Sequence, residues 1–404
     1  MLTWRTTAVA TLAVALVAGC SSSTAPRAGT SGAPTTAAAD PKSERGDEAA
    51  LDTVPWDQVG PGWMLATWTL HPYMPGGTPS TGESANTTLY LVDPSGDRYP
   101  ITTFPPRADG FGGPRLVDWS GDGERALFYD QSADKPTPII VDLHTGAQTA
   151  VPIRGSTQFV PSFTLPSGKA LLIVNKDDNS DKPPTMERVD LTGRPELLYP
   201  TDKLSSPIRG YYLPTPDGTQ LILGTDAEMV VMDNDGTVAR TMPTPRGVTW
   251  CTPVRWWGGQ SATTLLAFCG SNNNDQPQLW LMPFAGGTPT ALTAPHPSGA
   301  AFDAWHVQAG TFVGTESQCG EVLLEKLNAD GTSSRVAVPG TKPERSIEVV
   351  GVSDDDLIVR AFPSCNPGEA LLDYDPAANT STLLLGGTVN GGSVTDALLY
   401  PGQG

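Results

Sequence analysis

One unit recurs about every 47 residues along this chain, and that period limits the possible folds more than any other feature. In each copy an apolar strand ends in Asp or Asn, a Gly turn follows, and a second strand begins. LYLVDPSGDRYPIT (89–102), PIIVDLHTGAQTAVPI (138–153), MERVDLTGRPELLYP (186–200) and MVVMDNDGTVARTMP (229–243) are the first four copies. LWLMPFAGGTPTALT (279–293), LLEKLNADGTSSRVAVP (323–339) and LLDYDPAANTSTLLLG (371–386) bring the number to seven. A unit of this length cannot bury its own apolar faces, so copies must stack on one another. Short strands at a period of about 40–50 residues fit the four-stranded blades of a β-propeller. The expectation is an all-β propeller of seven four-stranded blades, with six or eight as alternatives. A last strand around Ser393–Tyr400 would pair with the first blade and close the ring, leaving no open edge there.

A second element precedes most copies: a turn, then an apolar strand. DWSGDGERALFYD (118–130), TLPSGKALLIVN (164–175), PTPDGTQLILGT (214–225) and VSDDDLIVRAF (352–362) are its examples. These resemble the Trp-Ser-Pro-Asp-Gly repeat of TolB-like, WD-repeat-like propellers. Trp119-Ser120-Gly121-Asp122-Gly123 keeps all of that repeat but the Pro, and Pro216-Asp217-Gly218 keeps the core of the turn. The resemblance covers most of residues 55–400 and implies an architecture first. It also implies a non-catalytic role, since propellers of this family hold partner segments in their funnel. Gly and Pro, 43 and 39 residues, punctuate the chain too often for ordinary helices.

The start of the chain reads MLTWRTTAVATLAVALVAGC. One Arg (Arg5) and a short apolar run fit a secretory leader and fall short of a membrane span. Leu16-Val17-Ala18-Gly19-Cys20 with Ser21-Ser22-Ser23 resembles a bacterial lipobox, which implies cleavage before Cys20 and diacylglycerol on its thiol. The expected organisation is a lipoprotein signal peptide over 1–19, lipidated Cys20 and a disordered Ser/Thr/Ala/Pro linker over 20–50, and the propeller over 51–404. A tether of about 30 residues holds the domain on the order of 30 Å from the membrane. The protein is thus expected outside the cytoplasm, anchored through the lipid on Cys20 and in no other way.

The net charge of −18 argues against nucleic acid and against adhesion to anionic lipid. Four cysteines remain after Cys20, an even number suited to disulfides in an exported chain. Cys251 and Cys269 lie equally far from Gln260 at the turn of a hairpin, which would set them opposite one another. Cys319 and Cys365 occupy matching places in the sixth and seventh units, and a bridge between them would staple neighbouring blades. No Cys-x-x-Cys or Cys/His cluster suggests zinc.

Asp118, Ser120, Asp122 and Gly123 open like a calcium loop, but its twelfth position is Tyr129 where a bidentate Glu is needed. Counting from Asp177 places Arg188 there. No metal and no cofactor are expected. Neither a Gly-x-Ser-x-Gly elbow nor spacing that pairs His71, His144, His296 or His306 with a nucleophile appears. Binding surfaces remain: the long segments 71–86 and 175–185, and an aromatic set. That set is Tyr211, Tyr212, Trp250, Trp256, Trp257 and Trp305, with His306 beside it. For each Trp, blade-to-blade packing is the favoured reading over ligand contact; any that face the funnel would form a mouth for a peptide or sugar.

These features favour a monomeric, non-enzymatic binding or scaffold module of the cell envelope, with a protein or peptide segment as partner. The alternatives are a propeller-type hydrolase or lactonase with a metal in the central channel, and an anchored carbohydrate-binding module.

Overall fold

Short apolar runs bounded by Asp-Gly turns form the strands. Ala126–Tyr129, Leu171–Val174 and Leu221–Leu223 are buried throughout, each in the interior of a sheet covered on both faces. The computed structural model describes residues 46–69, 86–106, 113–130, 136–153, 159–176, 182–258, 262–271, 277–294, 300–316, 321–341, 345–363, 370–386 and 393–401. Their strands make five four-stranded antiparallel sheets and one eight-stranded sheet. The eight-stranded sheet is two four-stranded meanders joined by a single bridge, Thr225 to Cys251. Among the described residues no helix is long and apolar enough to cross a membrane.

Taken in chain order, the meanders are numbered here from the one that contains Met64–Thr69. The strands at one end of the meanders lie toward one another around the ring; those at the other end are mostly exposed, except Arg98–Phe104 and Thr380–Gly386, which are partly buried. The inner strands are Ser393–Leu399 in the first meander, Arg115–Trp119 in the second and Ser162–Phe163 in the third. Ile208–Pro214, Trp250–Trp256, Ala301–Val307 and Arg345–Ser353 serve the fourth to the seventh. At the solvent edge, Gln148–Ala150 is exposed along its whole length. The C-terminal strand Ser393–Leu399 pairs with Met64–Thr69 and supplies the inner strand of the first sheet, so the two ends of the folded chain share one sheet. The folded part starts earlier than composition suggested. Asp47 and Ala49, assigned above to the linker, exchange backbone bonds with Arg98, and Glu48 pairs with its guanidinium at 3.2 Å.

The Asp-Gly sequences are turns. Ser120 Oγ donates to Asp122 (2.6 Å) and accepts from Arg125 N (2.9 Å), while Gly123 takes φ 78°. Thr215, Asp217 and Gly218 repeat this pattern in the fourth meander. Asp122 and Asp217 therefore bind their own loops, as residues of Asx-type turns do.

The inner strands carry a second repeated device that the sequence reading did not anticipate. A β-bulge interrupts six of them, with the register shifting at Thr395, Val117, 209–211, Val254, Phe302 and Val350. Bulges re-aim the next side chain. Here the residues that follow are Asp396, Asp118, Tyr212, Arg255, Asp303 and Gly351. Asp396 accepts from Arg115 Nε (2.9 Å) and Arg115 Nη2 (2.6 Å) in the second meander. Asp118 accepts from the backbone N–H of Phe163 in the third (2.7 Å). Tyr212 shares a hydrogen bond with Ser162 Oγ (2.8 Å), and Arg255 pairs with Asp303 of the sixth. Gly351 has no side chain because Leu399 of the closing strand fills the space; a Cβ would lie 2.4 Å from its Cδ1.

Cys251 and Cys269 face each other in register, fully buried, and form a disulfide with Cα atoms 4.1 Å apart. Cys20, Cys319 and Cys365 lie outside the described residues, as do the leader, nearly all of the linker and the loop bearing His71.

Two outcomes follow. Closing a loop across 18 residues stabilises by about 3 kcal/mol. The double variant Cys251→Ser/Cys269→Ser is therefore expected to lose about that much in denaturant unfolding, with an unchanged far-UV spectrum. Asp303→Ala strips the partner from the largely buried Arg255 and is expected to cost about 3 kcal/mol. Chemical denaturation of wild type and variant side by side measures it.

Candidate functional site

The third meander has the shortest inner strand, only Ser162–Phe163, and the ring's inner wall opens beside it. The result is a pocket of about 480 Å³ between the second, third and fourth meanders. Val117 and Asp118 line one side, residues 159–163 and Leu165 the next, and Gly210–Tyr212 with Pro214 the third. That volume is within the range of about 300–1,000 Å³ typical of ligand sites.

Local sequence explains each wall. Gly210 sits at φ 90°, and a Cβ there would lie 2.1 Å from the Phe159 ring, so the glycine admits that ring. Tyr211 packs edge-on against Phe159 with centroids 6.1 Å apart, yet 58% of Tyr211 is exposed. Val160 is also exposed, at 47%. These two are half of the four large hydrophobic side chains exposed among the described residues.

The polar groups lie deeper. Asp118 is half-buried and lines the cavity; one carboxylate oxygen accepts from Phe163 N (2.7 Å), the other from Trp119 N (2.9 Å). Burial pushes its pKa up to about 7 against the pull of those two N–H bonds. The Tyr212 hydroxyl lies between Ser162 Oγ at 2.8 Å and Leu172 O at 3.3 Å and hydrogen-bonds with both. Burial pushes the Tyr212 hydroxyl above its ordinary pKa, and the Asp118 charge adds to the rise. Asp303, at the corresponding place in the sixth meander, is also raised by burial, but Arg255 opposes that rise. Among the described residues no group of three His, Cys, Asp or Glu is arranged to hold a metal ion.

The seven residues singled out from sequence do not share one mouth. Tyr211 and Tyr212 line the pocket. Trp250 lies under Arg209, whose guanidinium is 4.2 Å from the ring centroid. Trp256 and Trp305 are buried in packing; Trp256 Nε1 donates to Pro214 O (2.9 Å) and so ties the fifth meander to the fourth. Trp305 lies beneath Arg255 at 4.8 Å. Trp257 and exposed His306 form a separate pair 6.0 Å apart, with His306 Nδ1 3.0 Å from Thr311 Oγ1. Asp118, Phe159, Val160 and Ser162 were not named as binding residues. One signal was present in sequence: an acid within a strand destined for the interior, seen at Asp118, Asp303 and Asp396.

No family model matches the chain, and no match emerges among curated proteins. Solved structures do resemble it. The β-propeller domain of the Trilobed protease from Pyrococcus furiosus shares 12% identity over 75% of this chain and 88% of its own, with a TM-score of 0.50. Prolyl oligopeptidase B from Galerina marginata shares 13% identity at a TM-score of 0.50. That match covers 75% of this chain and 48% of the oligopeptidase. TolB from Acinetobacter baumannii shares 16% over 67% of this chain and 62% of its own, at 0.44. At such identities the likeness shows the fold alone: the chain is a β-propeller.

Asp118 yields a pH prediction. A carboxyl whose pKa rises on folding contributes stability that is full below its unfolded value and lost as pH climbs through the folded value. Wild type is thus expected to lose stability between pH 5 and pH 8 through this group. Asp118→Asn removes that slope, but starts lower at pH 5 because its amide nitrogen faces one of the two N–H donors. Denaturant midpoints at the two pH values measure both effects.

Proposed function

We propose that this protein is a lipid-anchored, non-catalytic binding module of the cell envelope. In this reading it stands outside the cytoplasm, tethered through Cys20, and takes a peptide segment of a partner protein into the pocket between its second, third and fourth meanders. One observation carries the reading: Val160 and Tyr211, two of the four exposed large hydrophobics described, line this same pocket. Exposed apolar surface at the rim of a concave site marks a place of recognition. Aromatic rings on a rigid scaffold bury large areas at small entropic cost.

An enzymatic reading draws on one specific feature, a carboxyl titrating near neutrality beside two hydroxyls. The surroundings of the two hydroxyls argue against it. Ser162 Oγ has Tyr212 Oη at 2.8 Å, and Tyr212 Oη in turn lies 3.3 Å from the Leu172 carbonyl oxygen. A serine nucleophile needs a base that accepts its proton, and a tyrosine whose pKa is raised stays neutral and does not serve. The solved propellers that resemble this chain belong to peptidases as well as to TolB, so the fold itself favours neither reading.

Peptide display against the full-length protein tests the proposal. Wild type is expected to select a consensus segment, with Tyr211→Ala and Val160→Asp each weakening it ten-fold or more. Mass spectrometry should find the bound peptide uncut after prolonged incubation. Failure to select any consensus, or cleavage of the bound peptide, overturns the reading.

A further inference from the structure

We propose that the pocket between the second, third and fourth meanders is selective for a lysine side chain, its stem held by Phe159, Val160, Pro161 and Tyr211 and its ammonium bound to the Asp118 carboxylate. This inference rests on the reading of the pocket as a peptide site.

Charge complementarity points to that occupant. Among the described residues lining the pocket, Asp118 is the one with an ionisable carboxyl or cationic side chain. Its two recorded bonds come from backbone N–H groups, with no cation of the described chain bonded to it. Two arginines on the same inner strands as the pocket lining are engaged elsewhere: Arg115 with Asp396, and Arg209 with Asp226 (2.7 Å) and the face of Trp250. The equivalent acids show what the ring does when the pairing is internal. Asp303 has Arg255 and Asp396 has Arg115. Asp118 alone of these three opens onto the pocket without such a partner. Burial has raised its pKa to about 7, as expected where no counter-charge stabilises the ion.

The geometry selects among cations. Each Asp118 oxygen already accepts one N–H bond, so both edges of the carboxylate are partly occupied. A guanidinium binds best through two parallel bonds to two free lone pairs, whereas an ammonium is a point charge that needs one. The walls between rim and acid are apolar and aromatic, which suits a four-carbon stem. Once the bound stem covers the half-buried carboxylate, an ion pair there is stronger than at an exposed surface. Desolvating the ammonium opposes that gain, so the expected outcome is selectivity more than high affinity.

The test uses full-length protein and capped pentapeptides Ala-Ala-X-Ala-Ala. X is lysine, norleucine, Nε-acetyl-lysine or glutamate, and binding is followed by NMR titration. Lysine is expected to bind at least ten-fold more tightly than norleucine and acetyl-lysine, with glutamate weakest. Asp118→Asn should reduce the preference for lysine over norleucine to two-fold or less. Tyr211→Ala should weaken lysine and norleucine alike. Because the peptide series compares ligands on unaltered protein, the inference remains testable if Asp118→Asn fails to fold. Norleucine binding as tightly as lysine overturns the inference and leaves the pocket a purely apolar peptide site. If none of the four binds while display-selected peptides do, lysine recognition fails and the broader reading stands. A display selection without consensus strikes at the broader reading instead.

Discussion

The structure depends on how polar side chains after the inner-strand bulges bind the neighbouring inner strand. Within each meander the strands pair their backbones with one another, but the inner edge of a sheet carries backbone groups that no further strand pairs. Leaving such groups buried without a partner costs about 1–3 kcal/mol each. The bulge at Val117 turns Asp118 out of its own sheet toward Phe163 N, and the bulge at Thr395 turns Asp396 toward Arg115 and the backbone of Leu116. One carboxylate thus serves two sheets. The hydrophobic clusters between sheets supply most of the cohesion, while these bonds fix which residue of one inner strand lies opposite which residue of the next.

That dependence explains where the pocket can exist. Where the inner strands are long, as in Ala301–Val307 beside Arg345–Ser353, side chains of both pack together, Trp305 and Val307 in one buried cluster with Ile347 and Val349. The third meander contributes two residues, so its neighbours bond across a gap: Asp118 to Phe163 from one side, Tyr212 to Ser162 from the other. Phe159 comes in beside Gly210 and lines the gap without filling it. The cavity is therefore bounded by the same bonds that join three sheets, and its shape is rigid in proportion to them.

Much of the architecture was legible from sequence because each unit repeats what every sheet needs. The Asp-Gly turns, the buried central strands and the returning C-terminal strand all follow from local chemistry and a fixed period. Opposed placement of Cys251 and Cys269 follows from their symmetry about a hairpin turn. The site was legible only in part. Tyr211 and Tyr212 were named, yet Trp256 and Trp305, chosen on the same grounds, are buried in packing. A large aromatic serves either role, and nothing in its immediate neighbours tells which. Asp118 was weighed as a loop ligand for calcium because the loop that follows it has the right spacing. Its actual role depends on the bulge at Val117 and on Phe163, 45 residues away, and neither is a local property.

Asp118 and Asp303 occupy corresponding places, follow corresponding bulges, and are both raised by burial. Asp303 is met by Arg255 of the preceding, fifth meander, a charge satisfied from within. For Asp118 the residue at that place in the preceding, first meander is Asp396, itself paired with Arg115, and across the gap stands Tyr212, a hydroxyl beside Ser162 Oγ and the Leu172 carbonyl. A ring that has the means to neutralise an inner acid, and does so at two of three places, leaves the third where the wall is open and apolar. Asp118 supplies two N–H acceptors that an amide would not, and its charge, facing an open apolar cavity, meets no counter-charge among the described side chains that line it.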